Sequence, residues 1–397
     1  MNKIMILFLV LLGVISVCMC EESKQIAMFE QFKGGVPSEL KTDVVIPFTL
    51  LRSHVIEVTS TIKDMPYKMI FDTGGMTMLE KSINDSLGFE TIKIPQQNAE
   101  MAIIDELKLG GASVSGMKVG LVGFNDTFKF ELPGMIGSDY LRFFNVEINY
   151  EKQYITFRNS YKLTKDTDSD HLIDIEMISP YFPTVELLVN GEHKFPGIID
   201  TGLHYAFVFP ISWLENLSES EKENLVESDG YFARWPWTES PQNYFYLMPE
   251  IKLGDIVLKD VPVIFGEIPN FLGNSTALIG KYFLENYLTT IDYPNRQVKF
   301  TEADRTNYSL RISAGINIAK KEGKLQITGV WANSPASEAG LKPADELIAV
   351  NSKTFDEISE REIADTIMDK TNIKFYLTIL RDGKEEDILL RKRDLFE

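Results

Sequence analysis

"MIFDTGG" at residues 69–75 ends an apolar run in an aspartate, a threonine and two glycines, and "GIIDTGL" at 197–203 does the same again. The second aspartate, Asp200, follows the first, Asp72, by 128 residues, and the repetition continues downstream. "LKLG" (107–110) returns as "IKLG" (251–254). "MIGSDYLRFFNVEINYEKQYITF" (135–157) lies in register with "LIGKYFLENYLTTIDYPNRQVKF" (278–300), pairing Gly137 with Gly280, Leu141 with Leu284, Ile148 with Ile291, Tyr150 with Tyr293 and Phe157 with Phe300. A repeat of this length marks two copies of one folding unit.

Each copy opens on strand-like alternation. Ile56, Val58 and Ile62 alternate up to a turn near Asp64, after which Tyr67, Met69 and Phe71 rise to Asp72. Val185, Leu187 and Val189 precede Asn190-Gly191, a strong hairpin signal, and the chain climbs again to Asp200. The pattern predicts two related β-barrel-like lobes over 42–160 and 171–303, joined through the acidic stretch "TKDTDSD" (164–170). The offset grows by about fifteen residues between Gly202 and Ile251, a span that holds "YFARWPW" and "NYFYLMP".

A chain of 397 residues with 44% hydrophobic residues supplies several cores. Its net charge of −18 argues against nucleic acid as a partner, since phosphate binding needs a basic surface. Lys3 followed by the apolar run Ile4 to Val17 predicts a signal peptide over 1–20 and an exported, periplasmic or envelope-facing chain. Cys18 and Cys20 are either small residues before the cut, or Cys20 is a lipidated first residue, the one route by which membrane becomes a partner. Neither reading leaves a cysteine pair to crosslink the mature chain.

The two Asp-Thr-Gly segments, each followed by an apolar-apolar-Gly segment (Met135-Ile136-Gly137 and Leu278-Ile279-Gly280), resemble the half-sites of retropepsin-like and pepsin-like aspartic proteases over about 260 residues. The resemblance implies a mainly β, bilobal aspartic-protease fold, Asp72 and Asp200 as a catalytic dyad, and Thr73, Gly74, Thr201 and Gly202 as its supports. The chemistry accounts for the doubling: peptide hydrolysis without metal or covalent nucleophile needs one carboxylate as base and one carboxylic acid as acid. Two carboxyls about 3 Å apart share one proton. The family usually has Ser, Thr or Ala after the glycine; here stand Gly75, which loses a supporting hydroxyl, and Leu203, which either crowds the loop or marks a retired site. His204 is assigned no role. HExxH, GxSxG, P-loop and GxGxxG patterns do not occur, and four scattered histidines suggest neither metal nor cofactor.

"GVWANSPASEAGLKPADELIAVNSKTF" (329–355) resembles the central signature of bacterial PDZ domains, with Ala344 where glycine is usual. This implies a small α+β module over 312–391, distinct from the lobes. Backbone N–H groups near Gly315 and Ile316 are expected to receive a peptide C-terminus, the strand through Ile318 to pair with it, and a helix over 358–370 to line the other side. Substrate cover is expected from 90–106 and 206–250. There the aromatics Tyr231, Phe232, Trp235, Trp237, Tyr244 and Phe245 form a flap, a subsite or ordinary packing. Together these readings lead to the expectation of an exported aspartic endopeptidase that uses a water activated by Asp72 and Asp200 and recruits polypeptides through the PDZ domain. The alternative is a non-catalytic peptide-binding adaptor.

Overall fold

The computed structural model describes residues 32–94, 99–128, 132–178, 181–233, 235, 242–269, 272, 275–303, 312–321, 323–355, 357–358, 362–363, 366–367 and 372–396. The expected signal peptide with Cys18 and Cys20, Trp237, and most of the 358–370 helix lie outside them.

The chain is mainly β. Val55–Ile62 and Met65–Phe71 form the first hairpin, which turns where Lys63 and Asp64 take positive φ. Ile56, Val58 and Ile62, the apolar positions of the alternation, all enter the core. In the first half six strands close a ring in the order Ala112–Val122, Met78–Glu80, Gly134–Ile136, Met65–Phe71, Val55–Ile62, Ala99–Leu109, the last pairing back to the first. The second half repeats that order with Ile256–Gly266, Phe207–Pro210, Ala277–Ile279, His193–Ile199, Phe182–Val189 and Tyr244–Leu253. Closure leaves few free edges on either barrel.

A separate sheet joins the halves, and its central pair is Asn145–Asn149 from the first against Tyr287–Asp292 from the second, with Val146 opposite Ile291. Both barrels and this sheet contribute to one buried apolar cluster.

The C-terminal region has its own core, which includes Ile316, Ile327, Leu347, Phe375 and Leu377. It is nevertheless not a detached module. Its strand Lys324–Trp331 pairs with Val226–Gly230 of the second half, Ser228 opposite Trp331 and Gly230 opposite Gly329, so one sheet runs from the second barrel into the C-terminal region. The sequence masks this joint, because "ESDGYF" (227–232) lacks the alternation that announces a strand.

Candidate functional site

Each Asp-Thr-Gly loop sits where a barrel strand ends. Met65–Phe71 and His193–Ile199 run parallel to Gly134–Ile136 and Ala277–Ile279, and the ladder continues one step further. Asp72 N–H donates to Ile136 O at 2.9 Å and Asp200 N–H to Ile279 O at 2.8 Å. The apolar-apolar-Gly segments therefore fix the height of both aspartates.

The loops meet across the halves. Thr73 N–H donates to Thr201 Oγ1 at 3.0 Å and Thr201 N–H to Thr73 Oγ1 at 3.1 Å. The hydroxyls donate onward to the opposite half, Thr73 to Ile199 O at 2.7 Å and Thr201 to Phe71 O at 3.3 Å. Both threonines are fully buried, so these bonds form where water does not compete. The glycines are required by the partner loop: a Cβ on Gly74 would lie 2.5 Å from Asp200 Cγ, and one on Gly202 would lie 2.7 Å from Asp72 Oδ2.

Asp72 and Asp200 are hydrogen-bonded to each other. Burial is the main force pushing both carboxyls above the ordinary range. Asp200 rises further because the negative charge of Asp72 faces it, whereas hydrogen bonds from Gly74, Asp200 and Gly202 pull Asp72 back. Backbone N–H groups reach both carboxyls, with Gly202 and Leu203 also pulling Asp200 down. Asp72 Oδ1 accepts from Gly74 N–H at 2.9 Å and from Gly202 N–H across the interface at 3.3 Å, while Asp200 Oδ1 accepts from Gly202 at 2.9 Å. The two carboxyls therefore titrate as one pair, and Asp200 is the one pushed up more strongly. Such a pair can take up a proton at one carboxyl and release one from the other.

Leu203 does not crowd the pair. It is buried with Met76, Phe182, Ile198 and Val208, and its carbonyl accepts from Lys281 N–H at 2.8 Å. His204 lies edge-on to His54 of the first half and to Tyr282, with centroids 4.8 and 4.6 Å apart, a contact across the halves that the isolated histidines in the sequence did not disclose. Burial lowers His54 to about 4, which keeps it neutral at neutral pH. On the other side of the first loop, Asp139 accepts from Thr77 N–H and Oγ1 at 2.8 and 2.7 Å, and burial pushes it up to about 6. Among the described residues no group of three or more His, Cys, Asp or Glu is placed to hold a metal, and no helix is long and apolar enough to cross a membrane.

In the C-terminal region Ile316–Lys321 pairs on one side with Lys324–Trp331. Ile316 is buried and Ile318 partly buried against that region's core. Gly315, at φ 82°, donates its N–H to Ser313 Oγ at 3.0 Å. An arriving carboxylate would therefore replace a hydroxyl there.

A family model for the PDZ domain matches residues 306–380, and the C-terminal region is a PDZ domain. Such domains bind peptide C-termini. Among curated proteins the chain is similar to a "Probable CtpA-like serine protease" of Staphylococcus aureus (strain COL), 26% identical over 84 residues, which is 21% of this chain and 17% of the relative. A protein of the same name in Staphylococcus saprophyticus is 32% identical over 81 residues, 20% of this chain and 16% of the relative. The likeness lies in the PDZ region, and the chain spans about a sixth of the length of these relatives.

These names correct the expectation of an exported aspartic endopeptidase that works through a water activated by Asp72 and Asp200. The relatives that carry a named activity are proteases of the serine type, and their similarity gives the Asp-Thr-Gly halves no support as an aspartic peptidase. The family resemblance misled because Asp-Thr-Gly defines a loop geometry, and geometry alone does not carry an activity.

Proposed function

We propose that this chain is a PDZ-bearing protease acting on polypeptides, and that Asp72 and Asp200, braced by Thr73, Gly74, Thr201 and Gly202, form a functional site of the two halves. The PDZ match and the names of the relatives support the first part. The observation that carries the second is the reciprocal threonine pairing, which brings two carboxyls from separate barrels into one hydrogen-bonded pair. The serine type named in the relatives stays with them, because their similarity to this chain stops at the PDZ region. In architecture we read the two barrels as a likeness to the retropepsin-like and pepsin-like fold, a likeness of shape. The limits 42–160, 171–303 and 312–391, and export through residues 1–20, belong to the same proposal.

The test uses full-length protein on an unbiased peptide library, beside Asp72→Asn, Asp200→Asn and a fluorophosphonate probe for reactive serines. Cleavage by wild type that either substitution abolishes supports the reading. Undiminished cleavage by both variants, or probe labelling that tracks the activity, would move the chemistry to another residue. Absence of cleavage by wild type would remove the protease.

A further inference from the structure

The two barrels differ at one hairpin. In the first half the sheet ends, among the described residues, at Thr91–Ile94 paired to Ala99–Leu109. Its counterpart in the second half, Val226–Gly230 paired to Tyr244–Leu253, is instead a joint: the far edge of Val226–Gly230 carries the PDZ strand Lys324–Trp331. Tyr231 N–H extends the ladder to Thr328 O at 2.9 Å, and Ala332 N–H reaches Glu227 O at 2.8 Å. The length that separates the two copies falls between Gly202 and Ile251, the span that holds this joint.

Trp331 closes the joint. Its ring stacks on Phe232 at 3.8 Å and 13° and on Phe245 at 5.4 Å and 19°, two aromatics of the hairpin. It is 3% exposed. Phe396, from the end of the chain, packs on Phe245 at 4.7 Å. From there the contacts lead toward the carboxyl pair. Phe232 O accepts from Tyr205 Oη at 3.4 Å, and Tyr205 lies five residues after Asp200 on the same loop. Leu203 of that loop shares one buried cluster with Phe245 and Trp331. Asn243, 1% exposed, clips the hairpin shut by accepting from Phe232 and Ala233 N–H at 2.6 and 3.0 Å. The peptide-binding strand is tied in as well, since Asn317 Nδ2 donates to Tyr231 O and to Thr328 Oγ1, each at 3.0 Å.

We propose that Trp331, a residue of the PDZ domain, is a positioning residue for the carboxyl site: by stacking on Phe232 and Phe245 it holds the strands Val226–Gly230 and Tyr244–Leu253, and through Tyr205 and Leu203 it holds the loop of Asp200. The PDZ domain is on this account a working part of the second half's site as well as a receptor for chain ends. The inference about activity rests on the proposed protease function; the inference about the loop does not.

The experiment compares full-length wild type, Trp331→Ala and Trp331→Phe in two measurements. The first is amide hydrogen exchange. The alanine variant should exchange about tenfold faster at 200–206, 226–233 and 242–253, with residues 55–71 of the first barrel unchanged, because loss of the stack frees a local unit and not the whole fold. The second is turnover of a fluorescence-quenched peptide library with amidated C-termini, which bypasses capture of a free chain end. The alanine variant should lose about tenfold or more in kcat with KM within about threefold, and phenylalanine should restore kcat to within about threefold. Unchanged exchange at 200–206 in a folded alanine variant overturns the proposal, as does a kcat within about twofold of wild type. Should wild type cleave nothing, the protease reading falls and exchange alone decides the positioning role. If Trp331→Ala does not fold, Trp331→Leu is read in the same two ways, and global unfolding of both makes Trp331 a general support and overturns the proposal.

Discussion

Thr73 and Thr201 each donate a backbone N–H to the other's side-chain oxygen, so the bond that aligns the two carboxyl loops is also a bond between the two barrels. Thr73→Val would leave Thr201 N–H without its acceptor and Ile199 O without its donor, both in a fully buried setting. The expected cost is about 2–4 kcal/mol, whereas Thr73→Ser, which keeps both bonds, stays within ~1 kcal/mol of wild type. Urea unfolding of the two variants checks this, and equal stabilities would show that the crossed bonds contribute little.

The shared proton predicts a direction for stability against pH. An acid whose folded value is raised favours the fold while protonated; its contribution is complete below the ordinary carboxylate range and is lost as pH rises through the raised value. Asp200, raised by burial and by the charge of Asp72, therefore weighs against the fold at neutral pH. Asp200→Asn stays neutral and can still donate to Asp72. Its melting temperature relative to wild type should climb from pH 4 to pH 8, and a flat or falling difference would place the proton elsewhere.

Leu203 reads in the sequence as an intruder beside the loop, and the structure makes it part of the core, at 8% exposure. Leu203→Ala should cost about 2–4 kcal/mol through the cavity it leaves. Leu203→Ser should cost more, since it adds a buried hydroxyl. Denaturant midpoints decide, and a neutral alanine variant would mean the loop is loosely packed.

Ala344 holds φ 75°, a left-handed conformation that costs a residue with a Cβ about 1 kcal/mol or more. Its N–H donates to Ile327 O at 2.8 Å, which keeps the turn in place. Ala344→Gly should stabilise the PDZ domain by about 0.5–1 kcal/mol, the relief exceeding the added freedom of the unfolded chain. Thermal melting of the full chain measures it.

The barrels were legible because their evidence is local and doubled. Alternation at Ile56, Val58 and Ile62, the Asn190-Gly191 turn and the matched 135–157 and 278–300 segments all lie within hairpins or short ladders. The meeting of Asp72 with Asp200 could be expected from the same doubling. The partners that set their difference could not, because the Gly202 N–H shared by both carboxyls depends on how the loops cross. The joint at Ser228–Trp331 was hidden for another reason: it brings Trp331 onto two phenylalanines about 100 and 85 residues away, and no periodicity reports a contact of that kind. Aromatic density in "YFARWPW" and "NYFYLMP" was the available signal, and part of it proved to be packing.

The central sheet has a consequence for how the chain is born. When Asn145–Asn149 leaves the ribosome its one available neighbour is Tyr154–Arg158, and the opposite edge waits for Tyr287–Asp292, some 140 residues further on. At ~5–20 residues per second that interval is roughly 7–30 s. Throughout it the free edge of Asn145–Asn149, beside the finished first barrel, displays an open row of N–H and C=O groups. On a crowded polysome the nearest matching strand can belong to a neighbouring nascent chain, so exchange of second halves between molecules is the misassembly this topology invites, and rapid synthesis of residues 150–292 is its remedy.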